Sequence, residues 1–253
     1  MRVVGVPEAI AAARCMFPSV EAAVRSVMET IQIGIPVTRI ELLDEVQIDA
    51  VNRYSGRDYP VAPTLFYEFH GSERGVAENA ESASGIAADN GGSSFDWATG
   101  QKERAKLWDA RHDAYYAALA VRPGSRGFAT DVCVPISRLA ECIVATQEDL
   151  RASGLVAPIV GHVGDGNFHL IFCVSEDAGE LARVEALNDR LVRRALAMGG
   201  TCTGEHGVGY GKARYMREEH GDAMDVMAAI KRALDPAGIL NPGKILYPFR
   251  PNK

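Results

Sequence analysis

Several kinds of sequence feature are missing from these 253 residues, and each absence excludes something. No run of about 18 apolar residues occurs, which excludes a helical membrane span, and no secretory signal pattern is present. Basic runs are absent and the net charge is −6, which argues against a general nucleic-acid surface. Cysteine is scarce. Cys15, Cys133, Cys142, Cys173 and Cys202 are an odd, scattered set without a C-x-x-C, and they read as buried thiols of a reducing compartment. No sequence repeat and no linker-like composition divides the chain, so one domain spanning 1–253 is expected. Hydrophobic residues at 47% and charged residues at 24% are ordinary for a soluble globular protein with a proper core.

What is present alternates between helical and extended patterns. Val20, Ala23, Val24, Val27, Met28 and Ile31 recur at helical spacing, with Ser19 as N-cap and Gly34 as stop. Further helices are expected over Asp44 to Tyr54, Glu73 to Asn90, Gln101 to Ala120, Ile136 to Ser153, Ala178 to Met198 and Asp222 to Leu234. Strands are expected over Val37 to Leu43, Thr64 to His70, a short piece carrying Phe95 and Trp97, and Gly127 to Val134. The opening Arg2-Val3-Val4-Gly5-Val6 also resembles a strand, which fits a fragment or a second domain as well as a natural start. The tail from Asp235 to Pro251, with four prolines, reads as extended. The pattern predicts an α+β fold, with helices over a mainly antiparallel sheet.

Chemistry concentrates in three places. In Gly161 to His169, Asp165-Gly166 is a hairpin signal. Centring a two-residue turn there pairs His162 with His169 on one face, close enough for one metal ion to bridge. The alternative is a surface histidine beside a strand-end filler. Gly199 to Lys212 has six glycines in its first thirteen residues. It satisfies neither the Walker spacing, with His206 and Ala213 in the wrong places, nor G-x-G-x-x-G, and the chain has no H-E-x-x-H. Glu205-His206 remains there. It is either a carboxylate ligand with a proton-moving imidazole, or a solvent-facing pair on a mobile loop. Arg111 stands one helical turn before Tyr115, and Arg126 follows the Pro123-Gly124 break. The two arginines could grip a carboxylate, or be solvated surface charges.

His162-Val-Gly-Asp-Gly-Asn-Phe-His169, Gly200-Thr-Cys-Thr-Gly-Glu-His-Gly207, and Leu234-Asp235-Pro236 through Asn241-Pro242-Gly243-Lys244 together resemble the C-terminal domain of FAD-linked oxidases. The resemblance covers essentially the whole chain and leans toward the cytochrome-type D-lactate dehydrogenases, with glycolate oxidase and D-2-hydroxyglutarate dehydrogenase as relatives. It implies a ferredoxin-like antiparallel sheet that forms the substrate pocket and caps a flavin. The FAD would be held mainly by an N-terminal domain that this sequence does not contain. By resemblance, His162, His169 and Glu205 bind a divalent metal, zinc or manganese, and His206 is the catalytic base. Arg111 binds the substrate carboxylate, with Tyr115 and Arg126 beside it, although Arg126 stands where relatives commonly have lysine. Gly204 and Asn241 fall on the cofactor side.

Ile171 replaces a polar residue of the hydroxyglutarate enzymes, which favours a short or apolar 2-hydroxy acid. The implied partners are that acid, the FAD domain, and a separate electron acceptor of cytochrome or electron-transfer-flavoprotein type, with a homodimer also open. The implied location is cytoplasmic or peripheral to the inner membrane. Two competing readings use the same residues: a metal-dependent hydrolase, and a non-catalytic ligand-binding module.

Overall fold

In the computed structural model, which describes residues 5–246, eight strands pair antiparallel into one sheet. They are β1 (Ala9–Met16), β2 (Arg39–Leu43), β3 (Thr64–Gly71), β4 (Ser93–Ala98), β5 (Arg126–Ala129), β6 (Val132–Cys133), β7 (Ile159–Gly161) and β8 (Asn167–Val174). The order is β4-β1-β3-β2-β7-β8-β5, with β6 also on β8. The helices are α1 (Val20–Ile33), α2 (Glu45–Ser55), α3 (Glu73–Asp89), α4 (Gln101–His112), α5 (Ala114–Ala120), α6 (Leu139–Ser153), α7 (Ala178–Ala197), α8 (Met216–His220) and α9 (Ala223–Leu234). One connection occurs twice. In β1-α1-β2 the two strands are separated in the sheet by β3, and in β5-α6-β7 they are separated by β8. The two units meet where β2 pairs with β7 over Leu42↔Gly161 and Leu43↔Val160. Sequence alone shows no such repeat, because topology survives where side-chain identity does not.

Alternation along the strands sorts side chains to two faces. Ala11, Ala13, Ile40, Leu42, Leu65, Tyr67, Phe69, Phe168, Leu170 and Phe172 meet the apolar stripes of α1, α3, α6 and α7 in the larger core. Ala12, Leu43, Phe66, Val160 and Ile171 meet α2, α4 and α5 in a smaller one. Local signals set most boundaries as expected. Ser19 accepts the Ala22 N–H at 3.1 Å and Gly34 closes α1 with φ +85°. Asp44 caps α2 through the Gln47 N–H at 2.8 Å.

Four expectations turn out differently. β1 is not legible as a strand, because Ala9, Ala11, Ala12 and Ala13 favour helix by intrinsic propensity. Here the small side chains sit between β3 and β4 at the middle of one sheet half, buried on both faces. Of the strand expected at Arg2 to Val6, residues 2–4 lie outside the described residues, and Gly5 and Val6 belong to no strand. The helix expected over Gln101 to Ala120 breaks at Asp113 (φ −88°, ψ −3°), whose carboxylate accepts the Ser55 hydroxyl at 2.9 Å. The tail, as far as Leu246, folds back through turns rather than running extended. Tyr210 donates to the Pro242 carbonyl at 3.0 Å, and the Ile245 N–H donates to Gly209 at 2.9 Å.

All five cysteines are free thiols. Cys15, Cys142 and Cys202 are buried, and burial pushes the Cys202 thiol up to about 12. Cys133 and Cys173 are only half-buried, contrary to expectation.

Candidate metal and substrate site

The site lies on the smaller-core face, at the junction of the two repeated units. The hairpin register differs from the one expected. A 3-10 turn at Val163–Asp165, closed by Gly166 at φ +81°, replaces the two-residue turn, and His169 pairs with Val160 rather than His162. The shift is two residues, and a strand's side-chain period is two, so His162 stays on the same face as a diagonal neighbour. The two rings stand edge to face, with centroids 6.1 Å apart.

The tautomers are fixed by what each Nδ1 touches. His162 Nδ1 lies 2.6 Å from Glu41 Oε1, and His169 Nδ1 lies 2.9 Å from the Thr130 carbonyl. Both partners only accept, so each imidazole carries a proton on Nδ1, and in its neutral form it turns an Nε2 lone pair inward. The Thr130 carbonyl is available because a ladder bond is exchanged: the Leu170 N–H donates to the Thr130 hydroxyl at 2.8 Å instead. That exchange also splits the strand expected over Gly127 to Val134 into β5 and β6, although both keep one register against β8.

Glu205 Oε1 lies 3.2 Å from His162 Nε2 and 3.3 Å from His169 Nε2. Tetrahedral metal bonds of about 2.05 Å would put ligand atoms about 3.3 Å apart, so this donor set fits a single divalent ion. The hydrogen bond that its Nδ1–H donates to Glu41, with the charges of Glu41 and Glu205, lifts the His162 imidazole above its ordinary value against partial burial. Burial pushes His169 below its ordinary value, with the Thr130 carbonyl and Asp131 pulling the other way. His206 stacks on His169 at 4.8 Å and 6°, its Nε2 3.8 Å from Glu205 Oε1.

The loop carrying Glu205 and His206 is tied to the sheet by Asp131, which is 1% exposed. Asp131 stands opposite His169 in the common β5–β6 register. Its carboxylate accepts from Lys212 Nζ (2.8 Å), Thr203 Oγ1 (2.8 Å), Asn167 Nδ2 (2.9 Å), and the N–H groups of His206 (3.0 Å) and Glu205 (3.3 Å). Burial alone would raise this carboxyl, but the Lys212 ammonium and the other donors hold it well below the usual carboxylate range. Asp131, His169 and His206 also converge as a donor set. With its oxygens occupied by these donors, Asp131 is poorly suited to a metal. Gly204 packs so tightly on this centre that a Cβ would collide with the Asn167 amide and Asp131 Oδ1.

The remaining expected residues divide. Arg111 reaches the site, with Nε 3.0 Å from Glu41 Oε2. Tyr115 lies beyond the Asp113 break on α5, half-exposed, its hydroxyl against Gly127 and its ring edge-on to Tyr116. Arg126 is not brought in. It pairs with Val174, five residues along β8 from His169 or about 17 Å, and on the other face. Asn241, at φ +46°, lines an apolar groove of about 480 Å³ with Ile230, Leu234 and Leu240, away from the histidines. Glu41, Thr130, Asp131 and Lys212 had no role assigned from sequence. The available signal was charge inside an apolar run, as in Ile40-Glu41-Leu42-Leu43.

The chain belongs to the family described as FAD linked oxidases, C-terminal domain, which matches residues 6–245. Among its relatives is a "probable D-lactate dehydrogenase, mitochondrial" of Danio rerio, 52% identical over 248 residues, covering 97% of this chain and 50% of the relative. A mitochondrial D-lactate dehydrogenase (cytochrome) of Arabidopsis thaliana is 42% identical over 250 residues, 98% of this chain and 44% of the relative. A glycolate oxidase subunit of Escherichia coli is 32% identical over 237 residues, 90% and 46%. The chain thus spans about half the length of the curated relatives it matches. A 4-ethylphenol oxidase structure from Gulosibacter chungangensis shares the fold, with TM-score 0.70 at 17% identity over 97% of this chain and 55% of that one. Among the described residues no helix is long and apolar enough to cross a membrane.

Proposed function

We propose that this chain is the substrate- and metal-binding part of a flavoprotein that oxidises a D-2-hydroxy acid, D-lactate first among candidates, to the 2-oxo acid. The observation that carries the reading is the convergence of two imidazole Nε2 atoms on Glu205 Oε1 at 3.2 and 3.3 Å, in a chain of this family. His162, His169 and Glu205 would hold the metal, zinc or manganese. When bound, the metal supplies Lewis acidity that lowers the pKa of the 2-hydroxyl, and FAD supplies the acceptor for the α-hydride. His206, stacked on His169, accepts the hydroxyl proton. Arg111 keeps its terminal nitrogens for the substrate carboxylate while Glu41 holds its Nε, which orients the α-carbon. Ile171, buried two residues past His169, supports a short or apolar substrate.

The β-α-β-β-α-β sequence in strand order β4-β1-β3-β2, with α2 added, supports a ferredoxin-like description of the first half. The exposed Val226, Ile230 and Leu234 on α9, with Ile239 and Leu240 after it, support docking of an FAD domain here. Reduced flavin would pass its electrons to a separate acceptor. In the flavin-loaded full-length protein, D-lactate is expected to reduce the flavin in a single turnover and L-lactate is not. His206→Ala should slow reduction about 10²- to 10⁴-fold with metal retained. Reduction unaffected by His206→Ala, or hydrolytic activity without flavin, would sink the reading.

A further inference from the structure

Glu41 is the side chain whose position demands the most explanation. It is 3% exposed, in the middle of a strand, between Ile40 and Leu42 of the larger core. A buried carboxylate is costly unless both oxygens are occupied by good donors. Both are. Oε1 takes His162 Nδ1 at 2.6 Å and Oε2 takes Arg111 Nε at 3.0 Å. These partners come from different units of the sheet and from a helix: Glu41 from β2, His162 from the end of β7, Arg111 from the last turn of α4.

We infer that Glu41 is a positioning residue that sets the metal-binding imidazole and the carboxylate-binding arginine in register with each other; this rests on the function proposed above. A carboxylate only accepts, so it fixes two things at once. It holds the His162 proton on Nδ1, which leaves Nε2 as a ligand facing Glu205. It also holds the guanidinium plane by Nε, which leaves the terminal nitrogens of Arg111 to grip a second carboxylate. His169 is set independently by the Thr130 backbone carbonyl. Only His162 is therefore tied to the arginine. A glutamine here cannot serve both partners. It has one acceptor oxygen, and its NH₂ would face either a histidine N–H or an arginine N–H.

The test uses Zn²⁺, which is diamagnetic, in chelator competition, with ¹⁵N NMR of the histidine tautomers on the same chain. In Glu41→Gln, Zn²⁺ affinity should fall about 10- to 100-fold and the His162 Nδ1–H signature should be lost. In the flavin-loaded full-length protein, KM for the hydroxy acid should rise more than kcat falls. Glu68→Gln, on β3 and paired with Arg39 and His70, should change none of these. If Glu41→Gln does not fold, Glu41→Asp keeps the charge but shortens its reach, and the same shifts are expected at smaller size. Wild-type zinc affinity and an unchanged tautomer in whichever variant folds would overturn the inference. Wild-type protein whose zinc binding is absent, or indifferent to His162→Ala, would overturn the metal reading and this inference with it.

Discussion

The two faces of the sheet use the same strands for opposite ends. On the larger-core face the strands meet the helices almost entirely through apolar side chains, from Ala11 and Ile40 to Leu170 and Phe172. On the other face, three helices cover only part of the sheet, and the space left at the β2–β7 junction is occupied by Glu41, His162, His169 and Asp131. The first face gives the chain its stability through apolar burial. The second spends burial on charges that are tolerated only because each has assigned donors or acceptors. Stability and chemistry are thus separated by the side-chain alternation of single strands: Phe168 and His169 are adjacent in sequence and belong to different tasks.

Substitutions on the two faces should therefore fail in different ways. The largest effect is expected for Phe172→Ala on the larger-core face, where the ring is buried and packs edge-on against Phe128 at 6.4 Å. It should cost about 3–5 kcal/mol in urea denaturation while leaving Zn²⁺ affinity of the folded fraction unchanged. A matching loss of metal affinity would break the separation. Asp131→Asn should act on the site as well as on stability. It removes the charge that Lys212 and the loop N–H groups grip, so Zn²⁺ affinity should drop about 10- to 100-fold as Glu205 loses its anchor. The two contributions would not be separable if Asp131→Asn bound zinc as tightly as the parent.

The smallest effect is expected for Asp149→Asn, an ion-pair group outside both cores. Asp149 joins α6 to α7, accepting from Arg190 Nη2 at 2.6 Å and Arg194 Nη2 at 3.2 Å. The Arg190 hydrogen bond, and then that of Arg194 against some burial, hold this carboxyl below its ordinary value. A depressed folded-state pKa contributes stability above the unfolded value near 3.9, and the contribution disappears as pH falls through the folded value. Asp149→Asn should cost about 1 kcal/mol at pH 7, and the gap from the parent should close on acidification. A gap that is constant from pH 7 to pH 3 would show that the pair is structural by shape rather than charge.

The sequence made the larger-core face readable because its evidence is periodic: Val20 to Ile31 at helical spacing, Leu65 to Phe69 alternating. It failed at β1, where alanine's propensity and its burial point to different structures. At the site, His162 and His169 could be placed on one face from the hairpin signal even though the register was wrong by two, because an even shift preserves facing. Glu205 and His206 stood out against the glycines around them. Glu41 and Asp131 did not, because each acts through partners far along the chain: Glu41 lies 121 residues from His162, and Asp131 lies 81 from Lys212. A single charged letter in a strand indicates that something must answer it, but not what does.

Thr130 limits which sequences can carry this arrangement. Its hydroxyl stands in for its own carbonyl toward Leu170, so that the carbonyl can serve His169. A residue without a hydroxyl there would leave one carbonyl to serve both the Leu170 N–H and the His169 N–H, at the expense of the geometry of each. Serine and threonine are the side chains that can make this substitution of hydroxyl for carbonyl, and the β-branched threonine is the better strand former of the two.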